Sequence, residues 1–537
     1  MKILIVIPRY NLTTKVNYNY LFPLGLAYIS SVIKKAGYDV NCLNLNHLNG
    51  PIEGIIVSCL NKKKYDVICT GHIGIGYHVI KKIIDSVRNH VTKPKIILGG
   101  AIITSEPKLI FESLLPDYAV LGEGEITIVE LLECIERNKD FNKVKGIMFK
   151  DNNSLIITPE REPIQNLDSL PFPDFEGFGF SKQLENMVTN DPWSNSNNLL
   201  DFPRTYPILC SRCCPFSCTF CYHPLGKQYR KRSIKNVMKE LELAIKKYNI
   251  NIIVIFDDLF SADKNRLYEF CKEIKKLFKK YNFRGFWSCQ LSVHNIDREM
   301  LTTLKDAGCS IISFGFESMS PVVLKSMKKP ITPEQIDNAI RLCMEENMSI
   351  QGNFIFGDIA ETTRTAYETL NYWKIHCKGQ ISMDFIQPYP GSEIYNYCVK
   401  KGIIKDKLEF IKNIEIQNFF NMTEKMSNKE IEKLKSDILA ALVKYRRSIF
   451  PISIKKMEGN KYEVKIKCPY CKEIINYRNF YIKNKIFFGS FMTCRKCKMR
   501  FGISSPLKRL VYSLYHLVQP FTRSYVRIRN NFKKKSL

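Results

Sequence analysis

Short apolar runs alternate with helix-like stretches over residues 1–140. The runs are residues 3–7, 38–45, 66–71, 95–100 and 117–125. Between them, apolar positions recur at helical spacing, as in residues 25–36 and 77–90. Strands that alternate with helices in this way predict a parallel, doubly wound α/β sheet. Ligands of such sheets bind at the carboxyl ends of the strands.

Glycines stand at several of these predicted strand ends, namely Gly71, Gly99, Gly100, Gly122 and Gly124. A strand end without side chains lets a large planar ligand approach the backbone. The alternative is that they are ordinary turn glycines. A single glycine of this set is explained well by a turn, but the five together favour a ligand-binding site at this edge of the sheet.

The alternation resumes after a segment rich in proline and polar residues, which predicts a linker over 141–200. Six strand candidates follow, with helical stretches between them: 206–210, 252–258, 284–290, 310–318, 349–357 and 381–387. Six strands with five crossovers predict a parallel sheet that curves into a partial barrel over 201–404. Its active site would again lie at the strand C-termini.

The rest of the chain divides into a helical segment (405–455), a cysteine-bearing module (460–503) and a basic tail (504–537) with an amphipathic patch at 507–518. Of the net charge of +29, most lies near the C-terminus, because residues 441–537 hold 24 Lys and Arg against three acids. A concentrated excess of this kind predicts an anionic partner surface, either nucleic acid or membrane.

A chain of 537 residues is too long to fold around a single hydrophobic core, so several domains are expected. Its 45% of hydrophobic residues is typical of globular domains. No window approaches the roughly 18 apolar residues of a membrane span. The apolar start, residues 1–8, is typical of a strand and not of a signal peptide. We therefore expect a cytoplasmic protein without a transmembrane segment. Its 19 cysteines fall partly in short-spaced sets, which favours metal ligation over disulfides.

The first cysteine set is a C-x3-C-x2-C pattern formed by Cys214, Cys218 and Cys221, directly after the first strand of the second α/β unit. Three thiolates on one short loop can bind three irons of a cubane cluster and leave the fourth iron open for a substrate. A zinc knuckle or buried free thiols are the alternatives. Zinc normally takes four ligands, and a fourth from Cys210, Cys213 or His223 would give no standard spacing.

Residues 210–223 (CSRCCPFSCTFCYH) resemble the signature of the radical S-adenosylmethionine superfamily, and similarity continues downstream as far as QPYPGSEIY (387–395). The resemblance implies a 4Fe–4S cluster on Cys214, Cys218 and Cys221, with S-adenosylmethionine on the open iron. Cys213 stands where the family usually has glycine.

Segments farther along resemble the family's S-adenosylmethionine-binding strand ends: FDD (256–258), GFES (315–318) and GNFIFGDIAE (352–361). In the last, Asp358-Ile359-Ala360 replaces the common Leu-Pro-Gly. The residues implied as contacts to S-adenosylmethionine are Phe220, Asp257, Asp258, Glu317, Gly357 and Glu361. Which of the two adjacent aspartates acts stays open, and each acid taken alone could be a salt-bridged surface carboxylate.

Residues 1–140 resemble the Rossmann-like cobalamin-binding domain that is fused to this radical subgroup, through residues 23–40, 95–107 and 120–133. The implied cobalamin would lie between the two α/β units, over the glycines named above. The cobalt-ligating Asp-x-His-x-x-Gly pattern is absent, and His72 is interpreted as a polar loop residue. A domain that binds no cofactor is the alternative.

A second cysteine set, Cys468, Cys471, Cys494 and Cys497, forms two C-x2-C knuckles with residues 472–493 between them. Two such knuckles present four thiolates for tetrahedral zinc, as in zinc ribbons. A rubredoxin-like iron or a second cluster is the alternative. The module is expected to stabilise a small fold.

The resemblance implies an enzyme that cleaves S-adenosylmethionine reductively to a 5′-deoxyadenosyl radical. If cobalamin is bound, it implies C-methylation of an unactivated carbon. An oxidative cyclase or another carbon-skeleton enzyme of the subgroup is one alternative. A nucleic-acid or membrane-surface binding factor with a vestigial cobalamin domain is the other. An electron donor such as flavodoxin or ferredoxin is implied, and no motif reports the substrate.

Overall fold

The computed structural model describes the whole chain except residues 11–13, 73–75, 193, 261–262, 295, 415–419 and 512–537. The first unit is a seven-stranded sheet of order β2-β1-β3-β4-β5-β6-β7, of which β1 to β5 are parallel. Its elements are β1 (Lys2–Ile7), α1 (Leu24–Lys35), β2 (Asp39–Asn44), α2 (Ile52–Lys62), β3 (Val67–Gly71), α3 (Tyr77–Arg88), β4 (Lys95–Gly99), α4 (Ala101–Ser105), α5 (Pro107–Leu114), β5 (Tyr118–Val120), α6 (Gly124–Arg137), β6 (Ile147–Asp151) and β7 (Ser154–Ile157).

The central strands of this sheet are apolar throughout because both of its faces are covered. Every residue of β3 is buried, as are the last five residues of β1. Helix α3 supplies part of that cover through Val79, Ile80, Ile83 and other residues of one face. Continuous apolar strands are the expected consequence of a parallel sheet between helices.

Two antiparallel strands extend the sheet into the segment predicted as linker. Strands β6 and β7 form a hairpin on β5. Asn152 and Asn153 connect them, with φ angles of 44° and 68°. Paired positive φ values suit a tight hairpin turn, and asparagine tolerates them better than most residues. The linker expectation missed this turn because its polar residues also suit an unstructured loop.

The second unit is a six-stranded parallel sheet of order β15-β14-β13-β12-β11-β8. Its end strands are not paired with each other, so the barrel is open. The elements in chain order are α7 (Phe180–Asn186), β8 (Thr205–Ile208), β9 (Ser211–Arg212), β10 (Arg230–Lys231), α8 (Ile234–Tyr248), β11 (Ile252–Ile255), α9 (Lys264–Lys280), β12 (Phe286–Leu291), α10 (Arg298–Asp306), β13 (Cys309–Glu317), α11 (Pro321–Ser326), α12 (Pro333–Glu345), β14 (Ser349–Phe356), α13 (Thr363–His376) and β15 (Ser382–Phe385).

A helical segment and a small β module complete the described chain. They comprise α14 (Glu393–Lys400), α15 (Lys407–Asn413), α16 (Asn428–Tyr445), β16 (Ser448–Ile449), β17 (Ser453–Lys456), β18 (Lys461–Lys467), β19 (Ile474–Tyr481), β20 (Gly489–Thr493) and β21 (Arg500–Ser504). Asn190 joins the module to the residues before the barrel, since its side-chain amide donates to the Tyr481 carbonyl at 2.9 Å.

Of the basic tail, only the part up to residue 511 is described, so most of the predicted 507–518 patch lies outside the described residues. Within the described part of the chain, no helix combines the length and apolar character needed to cross a bilayer.

Candidate functional site

The loop between β9 and β10 brings Cys214, Cys218 and Cys221 to one cavity of about 590 Å³ at the carboxyl ends of the barrel strands. Hydrogen bonds hold the middle of this loop. The Thr219 amide donates to the Met327 carbonyl at 3.0 Å, and the Thr219 carbonyl accepts from the Ile394 amide at 2.9 Å. Three thiols that face one open cavity fit a cubane cluster with a free corner. Their role as ligands stays a prediction.

A buried lysine lies beside these thiols. A hydrogen bond from Cys221 lowers the pKa of Cys218 to about 7, and the charge of Lys329 acts in the same direction. Lys329 also pairs with Glu317, Nζ to Oε1 at 2.9 Å, with side chains only 17% and 8% exposed. A cation is therefore buried next to the thiols, with Glu317 as its counterion, and it can offset part of the negative charge of a cluster. Sequence reasoning missed Lys329, because nothing in its local pattern marks it.

Glu317 occupies a strained position at the end of β13. Its φ is +63°, which is uncommon for a residue with a side chain. A Cβ on Gly315 would lie 2.2 Å from Glu317 Oε1 and 2.7 Å from Lys329 Nζ, so glycine leaves the room for this ion pair. Strain of this kind is held by the surrounding structure and gathers at functional positions.

The two adjacent aspartates differ in environment. Asp257 is 3% exposed and accepts from the Cys210 amide at 2.7 Å and from Ser211 Oγ at 2.6 Å. Burial raises the pKa of Asp257 to about 6, although the two hydrogen bonds act to lower it. Asp258 is exposed and lines the cavity. Asp257 therefore fastens the start of the cysteine loop, while Asp258 is free to meet a ligand.

The remaining residues implied as S-adenosylmethionine contacts separate into two groups. Phe220 lines the first cavity, as Glu317 does. Gly357 and Glu361 do not line it: Glu361 is fully buried and accepts a hydrogen bond from the Gly357 amide. Burial raises the pKa of Glu361 to about 8. The structure thus brings Gly357 and Glu361 to each other, and their contact with the ligand stays a prediction.

A second cavity, of about 480 Å³, lies between the two α/β units. All five predicted glycines line it: Gly71, Gly99, Gly100, Gly122 and Gly124. A Cβ on Gly100 would lie 2.7 Å from the His72 carbonyl oxygen, and one on Gly71 would lie 2.6 Å from the Gly99 carbonyl oxygen. The wide, mainly apolar space over bare strand ends fits a corrin ring.

His72 also lines this second cavity. Its Nδ1 is buried without a hydrogen-bond partner among the described residues. Burial lowers the pKa of His72 to about 4, so the imidazole is neutral at physiological pH. The ring packs near Tyr10, with centroids 5.9 Å apart.

A buried ion-pair network joins the two units between the cavities. Arg212 Nη1 pairs with Glu123 at 2.7 Å and its Nη2 with Glu125 at 2.5 Å, while Arg230 Nη1 pairs with Glu123 at 2.8 Å. The Arg212 and Arg230 side chains are 9% and 3% exposed, and the two glutamates are buried to a similar degree. Sequence reasoning found the glycines around Glu123 but missed this network, because its partners lie far apart in the chain.

The two cavities share part of their walls. Leu21, Phe22, Phe256 and Asp258 line both of them. A group bound in the second cavity and a molecule bound in the first would therefore meet at the end of β11. This is the arrangement needed to pass a small group from one to the other.

The four cysteines of the C-terminal module converge on one point. Cys468 and Cys497 have Sγ atoms 3.8 Å apart, and Cys471 and Cys494 have Sγ atoms 3.7 Å apart. All four Sγ atoms lie within 4.8 Å of one another. A tetrahedral zinc with Zn–S bonds of about 2.3 Å places its sulfurs about 3.8 Å apart. The geometry therefore fits a zinc ribbon.

Comparisons with known proteins find a family match for each of the two α/β units. The sequence model of the radical SAM superfamily matches residues 208–372, and that of the B12 binding domain matches residues 12–132. The chain therefore contains a radical SAM domain. More particularly, that domain follows an N-terminal B12-binding domain, and the pair of domains is that of an enzyme. These domains imply a 4Fe–4S cluster, S-adenosylmethionine and cobalamin as cofactors.

Methyltransferases are among the relatives of the chain. An uncharacterized methyltransferase of Pyrococcus horikoshii is 28% identical over 71% of this chain and 79% of its own length. Cytidylyl-2-hydroxyethylphosphonate methyltransferase of Streptomyces wedmorensis is 24% identical over 77% of this chain and 84% of its own. Among solved structures, the chain resembles the methyltransferase TsrM of Kitasatospora setae with cobalamin and a 4Fe–4S cluster bound. The superposition covers 75% of each chain, with a TM-score of 0.61 and 16% sequence identity. That likeness shows a shared fold.

Proposed function

We propose that this protein transfers a methyl group from cobalamin to a carbon of a substrate bound in the first cavity. The observation that carries the proposal is the common wall of the two cavities at Phe256 and Asp258. A cyclase or other carbon-skeleton enzyme would need the first cavity, but no methyl passage between the two. The methyltransferase names of two relatives support the same choice.

The bound cofactors would supply the electron that cleaves S-adenosylmethionine and the methyl group that is transferred. The chain's own residues bind and orient. Cys214, Cys218 and Cys221 would hold the cluster, and Lys329 would balance part of its negative charge. Asp258 would accept a hydrogen bond from the amino group of S-adenosylmethionine, and Phe256 would exclude water between the cavities. A one-electron donor such as flavodoxin or ferredoxin completes the system.

The test is an anaerobic assay of protein reconstituted with iron, sulfide and hydroxocobalamin. S-adenosylmethionine with a deuterated methyl group and a chemical reductant are added, with candidate substrates offered as mixtures. We expect 5′-deoxyadenosine, and a product whose mass rises by one labelled methyl group. If deoxyadenosine forms together with a dehydrogenated or cyclised product that carries no label, the methyl-transfer proposal is wrong and the carbon-skeleton alternative is favoured.

Phe256→Ala offers a variant aimed at the shared wall. Because Phe256 is 39% exposed, its replacement should fold. Deoxyadenosine formation should continue while methyl transfer falls, since water and misplaced substrate enter the space between the cavities. Phe202→Ala, at an exposed phenylalanine outside both cavities, is the matched control and should leave both products unchanged. Equal methyl transfer by the wild type and Phe256→Ala would contradict the assigned role of the wall.

A further inference from the structure

Exposed apolar side chains are concentrated in the C-terminal module. Among the described residues, 24 large apolar side chains are exposed, and eleven of these lie within residues 450–511. Ile486 is 70% exposed, more than all but two others. The zinc-binding fold explains the buried members of this module, such as Tyr477 and Phe480, but not the apolar residues on its surface.

Several of these side chains form one patch. The turn between β19 and β20 presents Ile486 and Phe487, and the helical residues 506–511 present Leu507, Leu510 and Val511, which share a helix face because they are three and four positions apart. The turn and the helix are adjacent. The Ser505 amide donates to the Phe488 carbonyl at 2.9 Å, and Lys508 Nζ lies 5.8 Å from the Phe487 ring centroid. We call these five apolar residues the C-terminal patch.

Cations surround the C-terminal patch. Lys483 and Lys485 flank it on the turn, and Lys508 and Arg509 flank it on the helix. The sequence contains no Asp or Glu from Ile474 to the end of the chain, against fifteen Lys and Arg. Apolar side chains flanked along the chain by cations, in a stretch without acids, are the composition of a surface that lies in the interface of an anionic bilayer.

The side-chain types distinguish a bilayer from nucleic acid. Single-stranded RNA is held by aromatic rings that stack on bases and by cations on phosphates. The C-terminal patch has one aromatic ring, Phe487, and four aliphatic side chains. Aliphatic side chains gain little from a base edge but gain transfer free energy in the acyl region of a membrane. We propose that the C-terminal patch docks the enzyme on the surface of an anionic lipid membrane.

The experiment is sedimentation of full-length, zinc-loaded protein with lipid vesicles. We expect binding to vesicles of equal phosphatidylglycerol and phosphatidylcholine, little binding to pure phosphatidylcholine, and weakening as salt rises. Ile486→Ser with Phe487→Ser should lower the partition coefficient about ten-fold or more. Lys483→Gln and Lys485→Gln should each lower it about five-fold.

Ile375→Ser is the matched control, because Ile375 is 72% exposed on α13, outside the module. It should bind vesicles as the wild type does. All the changed side chains are exposed, and unaltered zinc content and thermal midpoint verify that each variant folds. Absence of binding to the anionic vesicles would overturn the proposal. So would binding that the Ile486 and Phe487 changes leave unaffected, or binding of single-stranded RNA without binding of vesicles.

Discussion

The ion-pair network between the two units gives a quantitative prediction at Glu123. Glu123→Gln keeps the shape of the side chain and removes its charge. Arg212 would retain Glu125, whereas Arg230 would lose the one carboxylate with which it pairs in the described part of the chain. Removing one partner of a buried pair costs about 3–5 kcal/mol, and a glutamine that still accepts one hydrogen bond should recover part of that. We expect a loss of about 2–4 kcal/mol in the free energy of unfolding.

The stability difference between wild type and Glu123→Gln should also depend on pH, and the direction follows from the pKa of Glu123. Burial opposes ionisation of Glu123, but the hydrogen bond from Arg230 and the charge of Arg212 outweigh it and lower the pKa of Glu123. A carboxylate with a lowered folded pKa contributes stability above its unfolded pKa, about 4.3, and loses it as the pH falls through the folded pKa. The difference between wild type and Glu123→Gln should therefore be constant from about pH 6 to 8 and shrink below about pH 4.3.

Urea unfolding, followed by circular dichroism at several pH values, measures both effects. Glu133→Gln is the control, on the helix α6 that begins directly after Glu123, because the ion pairs of Glu133 with Arg137 and Lys139 are exposed. It should unfold as the wild type does. Equal stability of Glu123→Gln and wild type at pH 7 would refute the reasoning, and so would a difference that grows as the pH falls.

Three further outcomes follow from the sites. Cys218→Ser should lose the cluster's visible absorbance and all 5′-deoxyadenosine formation, whereas Cys343→Ser, at a buried cysteine on α12, should retain iron. Gly100→Ala should weaken hydroxocobalamin binding in a spectral titration and cost about 1–3 kcal/mol of stability, because the added Cβ meets the His72 carbonyl at a φ of +85°. Cys471→Ser should release the zinc, measured by elemental analysis, and lower the thermal stability of the β module without affecting deoxyadenosine formation.

The sequence predicted the features that depend on local pattern. Both parallel sheets could be predicted, because strands such as residues 3–7 and 252–255 are short apolar runs between helical stretches. The two cysteine sets could be predicted because their spacing is itself the signal. The hairpin at Asn152 and Asn153 was missed, although two adjacent asparagines are a known turn signal.

The features that could not be predicted depend on contacts between distant residues. Arg230 meets Glu123 across 107 positions, and Lys329 meets the thiols from another barrel loop. A lone basic residue in a lysine-rich chain carries no mark of burial. The difference in environment between Asp257 and Asp258 also needed the fold, because the hydrogen bonds from Cys210 and Ser211 to Asp257 join residues far apart in the chain.

These contacts together fix the cysteine loop from several sides. Arg212, two positions before Cys214, ties the loop to the B12-binding unit through Glu123 and Glu125. Asp257 ties its start to the end of β11, and Thr219 ties its middle to the loop after α11. Glu123 itself stands between Gly122 and Gly124 at the wall of the second cavity. Two buried ion pairs, to Arg212 and Arg230, therefore connect that wall to the residues on both sides of the cysteine loop. The spacing of the two cofactor positions is set by the folded chain, which is what group transfer between them requires.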